Sequence, residues 1–307
     1  MEHINTVLGL FLMLIIGYLA KKIKILKAEH SKILNSVILN ITLPAFVINA
    51  ILNKQLTFGM FLTPVVVYAV IIATIIISYI ICKILKYSPK LTFAVMLTAS
   101  FANTGFLGYP IISALFNNNP QALPTAVIVD QLGMQLLLYI STPIIAALIV
   151  KEQNQEKFSY KTFLNIFKSP VLVVSIIVII FNNIHLPDFL MQTFKHLSGV
   201  TVPLVMISIG LQIKPSETPK YVIPVIIVFI LKMILQPIFM HYGMNLIIQE
   251  KFITDIATIQ MGLSPAMVTS ILIDKYKGDT NFACAAIFIC TLLTVIFVPF
   301  TAEILGI

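Results

Sequence analysis

Apolar runs of about twenty residues with at most one charge each recur along the whole chain, near 4–20, 33–53, 56–82, 91–116, 123–150, 169–185, 196–213, 221–248, 253–273 and 280–303. An α-helix rises about 1.5 Å per residue, so roughly 20 residues cross the ~30 Å hydrocarbon layer of a bilayer. Residues 91–150 hold a single charge, Asp130, and the turn-forming FNNNPQALP at 116–124 divides them into two runs. Of 307 residues 59% are apolar and 10% charged, against about 25% charged in a soluble domain. A soluble fold has no place for so much apolar surface, whereas helices in lipid do. The chain is therefore predicted to be an all-α integral membrane protein of about ten transmembrane helices. The first run is a span, not a signal peptide, because Lys21, Lys22, Lys24 and Lys27 follow the apolar stretch rather than precede it.

The net charge of +8 comes from twenty lysines and no arginine. Nucleic-acid binders use arginine forks interleaved with aromatics, so this basic balance points to membrane lipid headgroups and topology, with no nucleic acid as partner. With the amino terminus outside, sixteen lysines fall in cytoplasmic loops, three in outer loops (Lys54, Lys195, Lys251) and one, Lys232, within a span. That positive-inside bias predicts a multi-pass protein of the cytoplasmic membrane with both termini outside. The polar stretch KEQNQEKFSYK at 151–161 marks the middle of the chain. It gives a first five-helix unit over 1–150, a cytoplasmic linker over 151–162 and a second five-helix unit over 163–307. Cys82, Cys284 and Cys290 form no CxxC pair, and the five histidines form no ligand pair, so no metal or cofactor is expected. No GxSxG, HExxH, P-loop or Rossmann motif suggests an intramembrane enzyme or an ATP-driven pump.

The two halves repeat each other. TLPAFVINAIL at 42–52 lies over TVPLVMISIGL at 201–211 with Thr, Pro, Ile and Leu in register, and Pro64, Pro110 and Pro143 find counterparts in Pro224, Pro265 and Pro299. Each half holds an odd number of spans, so the second enters the membrane inverted, as in secondary transporters whose sites form where the halves meet.

The fourth and ninth spans carry matched interruptions. ASFANTGFLGYPII at 99–112 places Asn103, Thr104, Gly105, Gly108 and Pro110 at mid-membrane, and QMGLSPAMVTS at 260–270 places Gly262, Ser264 and Pro265 there. Glycine costs about 1 kcal/mol and proline about 3 kcal/mol in a helix interior. The freed backbone groups are tolerated in lipid only where they face protein or a watery cavity. Half-helix amino ends then offer N–H donors and a positive dipole to an anion; the alternative is that GxxG and proline only allow close helix packing.

FANTGFLGYPIISALF and GLSPAMVTSILIDKYKGDTNFACAAIFICTLLTVIFVPF resemble the fourth-span motif and the carboxy-terminal signature of the auxin efflux carrier family, and the resemblance extends over essentially the whole chain. It implies two inverted five-helix repeats whose broken helices four and nine cross, with an elevator-like domain moving past a scaffold. Asn103 matches the family's crossover asparagine, and Pro110 and Pro265 its crossover prolines. Without the long loop of the plant carriers, the chain is more similar to the bacterial permeases, which implies a small organic anion such as a dicarboxylate as substrate and a homodimer as the assembly.

Charges inside spans are costly and default to functional hypotheses. Asp130, followed by Gln131, either takes up and releases a proton as the carrier alternates, or forms a structural ion pair or hydrogen bonds to the helix breaks. Lys232 either neutralises an anionic substrate, snorkels or pairs with a carboxylate. Asn49, in the second span beside Pro44 and near Asn40, either contacts substrate or bonds between helices. The competing functions are a sodium- or proton-coupled symporter of the bile-acid-carrier kind and a receptor, which leaves two matched helix breaks without a purpose.

Overall fold

The computed structural model describes residues 2–116, 119–150, 169–212 and 221–307; the predicted linker at 151–162 lies outside them. The described residues are helical, without a named strand. In chain order the helices are α1 Glu2–Lys22, α2 His30–Ile51, α3 Phe58–Ile84, α4 Pro89–Ser100, α5 Thr104–Leu115, α6 Ala122–Ile149, α7 Pro170–Ile180, α8 Asp188–Gln212, α9 Val222–Ile247, α10 Lys251–Met261, α11 Met267–Lys275 and α12 Thr280–Leu305.

Among the described residues six helices are long and apolar enough to cross a membrane, α2, α3, α6, α8, α9 and α12, where the sequence predicts ten spans. For three of the four remaining runs, all but the first, the difference has a local cause. The fourth run is divided into α4 and α5 and the ninth into α10 and α11, so neither contains one uninterrupted span-length helix. The sixth run forms only the 11-residue α7.

Helix ends follow the local sequence. Ser88 and Ser169 cap α4 and α7 through their hydroxyls, each followed by a proline at the first helical position, where no N–H is needed. Asp279 caps α12 by accepting from the Phe282 N–H at 3.0 Å. The same helix closes on Gly306, whose φ of 70° is a left-handed conformation that suits glycine. Four stretches are wound more widely than an α-helix: Ile38–Thr42 in α2, Thr104–Gly108 in α5, Val129–Gln135 in α6 and Ile230–Leu235 in α9. Such π-turns leave carbonyls unevenly satisfied and are frequent at functional sites.

The helices pack in two groups. α1, α2, α7 and α8 pack mainly on one another, while α3, α4, α6, α9, α10, α11 and α12 form the other body, with α5 packed against helices of both. The α1–α8 contact is backbone on backbone: a Cβ on Gly17 would collide with the carbonyl of Ile207, and one on Gly210 with the carbonyl of Leu14 and, at 2.8 Å, the amide of Tyr18. Glycine is what lets these helices approach so closely. α2 meets α8 through the repeated motif, the Thr201 hydroxyl donating to the Thr42 carbonyl at 3.0 Å. The outer surface is apolar, with Ile72, Ile76 and Ile80 exposed in a row on α3 and Ile226 and Ile230 on α9. In water such a surface would aggregate; against acyl chains it is matched.

Candidate functional site

The centre of the molecule is built from the two interruptions. After α4 ends at Ser100, Phe101 is extended, and Ala266 is extended just before α11 begins. The two unwound segments lie antiparallel, with Ala102 opposite Pro265. The Asn103 N–H donates to the Ser264 carbonyl and the Ala266 N–H to the Phe101 carbonyl, both at 2.8 Å. These bonds satisfy backbone groups that helix breakage would otherwise leave bare in an apolar surrounding. Pro265, which has no N–H, sits between them. The Asn103 side chain is buried, and its amide nitrogen has no hydrogen-bond partner among the described residues.

Two helix C-termini end here as well, and α9 holds both. The fully buried Lys232 ammonium donates to the Met261 carbonyl at the end of α10 (2.6 Å) and to the Gln236 side-chain oxygen. Gln236 in turn donates to the Ser100 carbonyl at the end of α4 (2.9 Å) and to the Thr74 hydroxyl (3.1 Å). Carbonyls at a helix C-terminus carry partial negative charge, which a cation stabilises. Among the described residues the Lys232 ammonium meets no carboxylate; the partners it has are the end of α10 and Gln236.

On the other side of the unwound pair stands Asp130, in the π-turn of α6 and fully buried. One carboxylate oxygen accepts from the Thr104 hydroxyl at 2.5 Å, the other from the Tyr109 hydroxyl at 2.5 Å and the Gln131 amide at 2.7 Å. Gly105 allows this approach, since a Cβ there would stand 3.2 Å from the carboxylate. A cavity of about 310 Å³ opens beside Asp130, lined by Asn40 and Leu43 of α2, Gly105 and Phe106 of α5, Gln131, Gln135 and Tyr139 of α6, Ser169 to Val171 at the start of α7, and Val268 of α11. It lies on the seam between the two helix groups. The amino ends of α5, α7 and α11 all contribute to it, and among the described residues no cationic side chain does.

The structure brings Asn103, Thr104, Gly105, Asp130, Gln131, Ser264 and Pro265 into one region. Gly108 faces the Gln260 amide, which a Cβ would meet at 3.1 Å, and Gly262 faces Pro237 of α9 at 3.3 Å. Pro110 stands at the start of the α-helical part of α5, directly after the widened turn Thr104–Gly108, and not in the unwound segment, which is Phe101–Asn103. Asn49 lies elsewhere, donating to Ser198 of α8 at 3.5 Å, and it is Asn40 that reaches the cavity. Sequence reasoning passed over Tyr109, Gln236 and Gln260. Gln236 was accessible as a polar residue four positions after Lys232 in an apolar run, hence on the same helix face.

Apolar helices with an apolar exterior and a polar, interrupted centre define a multi-pass membrane protein built to handle a solute. The sequence pattern of the family described as membrane transport protein matches residues 3–302, and the chain belongs to this family, the auxin efflux carrier family. It is similar to an uncharacterized transporter of Methanocaldococcus jannaschii, 27% identical with 99% of each chain covered. It is also similar to an uncharacterized transporter of Methanothermobacter thermautotrophicus, 24% identical with the same coverage of both chains.

Proposed function

We propose that the protein is a secondary active carrier that moves a small carboxylate across the cytoplasmic membrane by alternating access, with one helix group travelling past the other in an elevator-like stroke. The observation that carries this reading is the cavity beside Asp130, which lies on the seam between the groups and is lined by the starts of α5 and α11, the helices that follow the paired unwound segments. Its volume of about 310 Å³ is at the lower end of the ~300–1,000 Å³ range of ligand pockets, which suits a compound of few carbons. Attraction for an anion comes from the amino ends of α5, α7 and α11, each carrying roughly half a positive charge.

In this reading the chain spans the membrane ten times in two inverted five-helix repeats with both termini outside. The lysine distribution and the contact between the repeated residues Thr42 and Thr201 support it. Asp130 carries the coupling proton: Thr104 and Tyr109 donate to its carboxylate, and either hydroxyl can turn to accept from its protonated form. Sodium coupling is the weaker alternative, because Lys232 already supplies a positive charge at the α10 carbonyl end.

The test is uptake of labelled malate, malonate, lactate and indole-3-acetate into proteoliposomes under imposed proton or sodium gradients. Saturable uptake of one acid, driven by an inward proton gradient and abolished by Asn103→Ala, is expected. Flux indifferent to Asn103→Ala and Asp130→Asn sinks the site, and flux driven only by sodium sinks the coupling.

A further inference from the structure

A second cavity, of about 510 Å³, lies between α9, α10 and α12 and shares no lining residue with the one beside Asp130. Its walls carry large apolar side chains, among them Ile238, Phe297, Phe300 and Ile304, with His241, Asn245 and Thr301 beside them. Ile238 is 43%, Phe300 57% and Ile304 68% exposed, so the mouth opens sideways onto the apolar exterior of the bundle, where the bilayer lies. Anything that enters by this mouth comes from lipid.

One end of the cleft is polar. There α9 finishes at Ile247, α10 starts at Lys251 and α12 finishes at Leu305, so three helix ends meet at one edge of the bundle. The Lys251 ammonium donates to the Asp255 carboxylate at 2.6 Å and to the Leu305 carbonyl at 2.7 Å, yet its side chain is 70% exposed. An ammonium has three N–H donors, so one remains for an anion, beside the open N–H groups of the first turn of α10. The Glu250 carboxylate does not line the cleft and lies against Gly59 of α3. Along the floor, Thr254, Asp255 and Thr258 are buried, and the Thr254 and Thr258 hydroxyls and the second Asp255 oxygen have no hydrogen-bond partner among the described residues. Unpartnered buried polar groups cost about 1–3 kcal/mol each and mark a place where a further polar group belongs.

We propose that this cleft is a phospholipid site, with one acyl chain between α9 and α12 and the phosphate at Lys251 and the first turn of α10. The geometry fits an amphiphile with a long apolar part and one anionic head: an apolar slot open to the bilayer, closed at the edge of the bundle by a cation with one donor unused. Occupancy bears on the transport centre. Met233 and Pro237 line the cleft on the α9 turn that carries Lys232 and Gln236, and Pro237 abuts Gly262 at the unwound segment. A seated lipid therefore braces the turn that holds the ends of α4 and α10.

The chain contains no tryptophan, so Phe300→Trp creates a single emitter in the cleft and Ile76→Trp a single emitter on the outer face of α3. Each variant in maltoside micelles is titrated with brominated phosphatidylglycerol or brominated diacylglycerol. Quenching of the cleft reporter is expected to saturate near one phosphatidylglycerol per protein. The diacylglycerol should require about tenfold more, as loss of one charge-assisted contact implies, and Lys251→Gln should erase that preference. The α3 reporter should follow the bulk lipid fraction alone. Equal responses of the two reporters, or equal potency of the two lipids, overturn the proposal. Native mass spectrometry of the unsubstituted chain gives a check independent of the tryptophan variants: one retained phospholipid, lost in Lys251→Gln, supports the site, and none retained refutes it.

Discussion

Asp130 and Lys232 are both fully buried in π-turns of long apolar helices, and among the described residues neither has an opposite charge as partner. Their surroundings differ in kind. The hydroxyls around Asp130 can donate or accept, so the carboxyl can change its protonation state without stranding a bond. The Lys232 ammonium faces only a carbonyl and an amide oxygen, which accept and nothing else. Asp130→Asn is accordingly expected to leave a folded protein whose uptake no longer rises when the outside is acidified, measured as initial rate against external pH. Tyr109→Phe removes one hydrogen bond to a carboxylate, worth about 1.5–3 kcal/mol, and is expected to lower Vmax/KM of uptake about tenfold or more. Lys232→Met strands the Met261 carbonyl and the Gln236 oxygen at about 1–3 kcal/mol each. That loss is read as a lower thermal midpoint in detergent, with transport lost as well. That Asp130 and Lys232 stand apart was legible from the sequence, because charges in apolar runs are conspicuous. Their partners were not, since Tyr109 and Gln236 look ordinary until the chain is folded.

At the scale of the helices, the sequence marked where the chain breaks more reliably than how. Glycine and proline in 99–112 and 260–270 announce both interruptions, and both exist as α4/α5 and α10/α11. Yet the unwinding falls at Phe101–Asn103, ahead of Gly105, Gly108 and Pro110, because the widened turn Thr104–Gly108 absorbs the glycines and starts the next helix. The main-chain bonds to Ser264 and from Ala266, which link distant parts of the chain, decide that position. The α1–α8 contact was equally hidden, since Gly17 and Gly210 stand in unremarkable apolar stretches. Gly210→Leu is expected to push α1 off α8 and to cost about 1–3 kcal/mol, seen as a lower thermal midpoint. Gly199→Ala on the same helix, where a Cβ meets nothing within 4 Å, should raise the midpoint slightly.

For the molecule as a whole, the grouping of α1, α2, α7 and α8 against the remaining body was not readable from any local pattern, because it depends on which apolar faces meet. It carries its own prediction. A bismaleimide bridging Asn40→Cys on α2 and Gln135→Cys on α6, which line the same cavity from opposite groups, should arrest uptake. In a background with Cys284 replaced by serine, because that thiol is exposed, either new cysteine alone treated alike should keep transporting, and continued flux in the bridged protein would argue against an elevator-like stroke. The pairing of the unwound segments has a consequence for how such proteins diversify. Its two bonds run between main-chain atoms, so they make no demand on most side chains at the crossing. Side chains around the crossing can thus be exchanged while the main-chain pairing that joins the two segments is inherited unchanged.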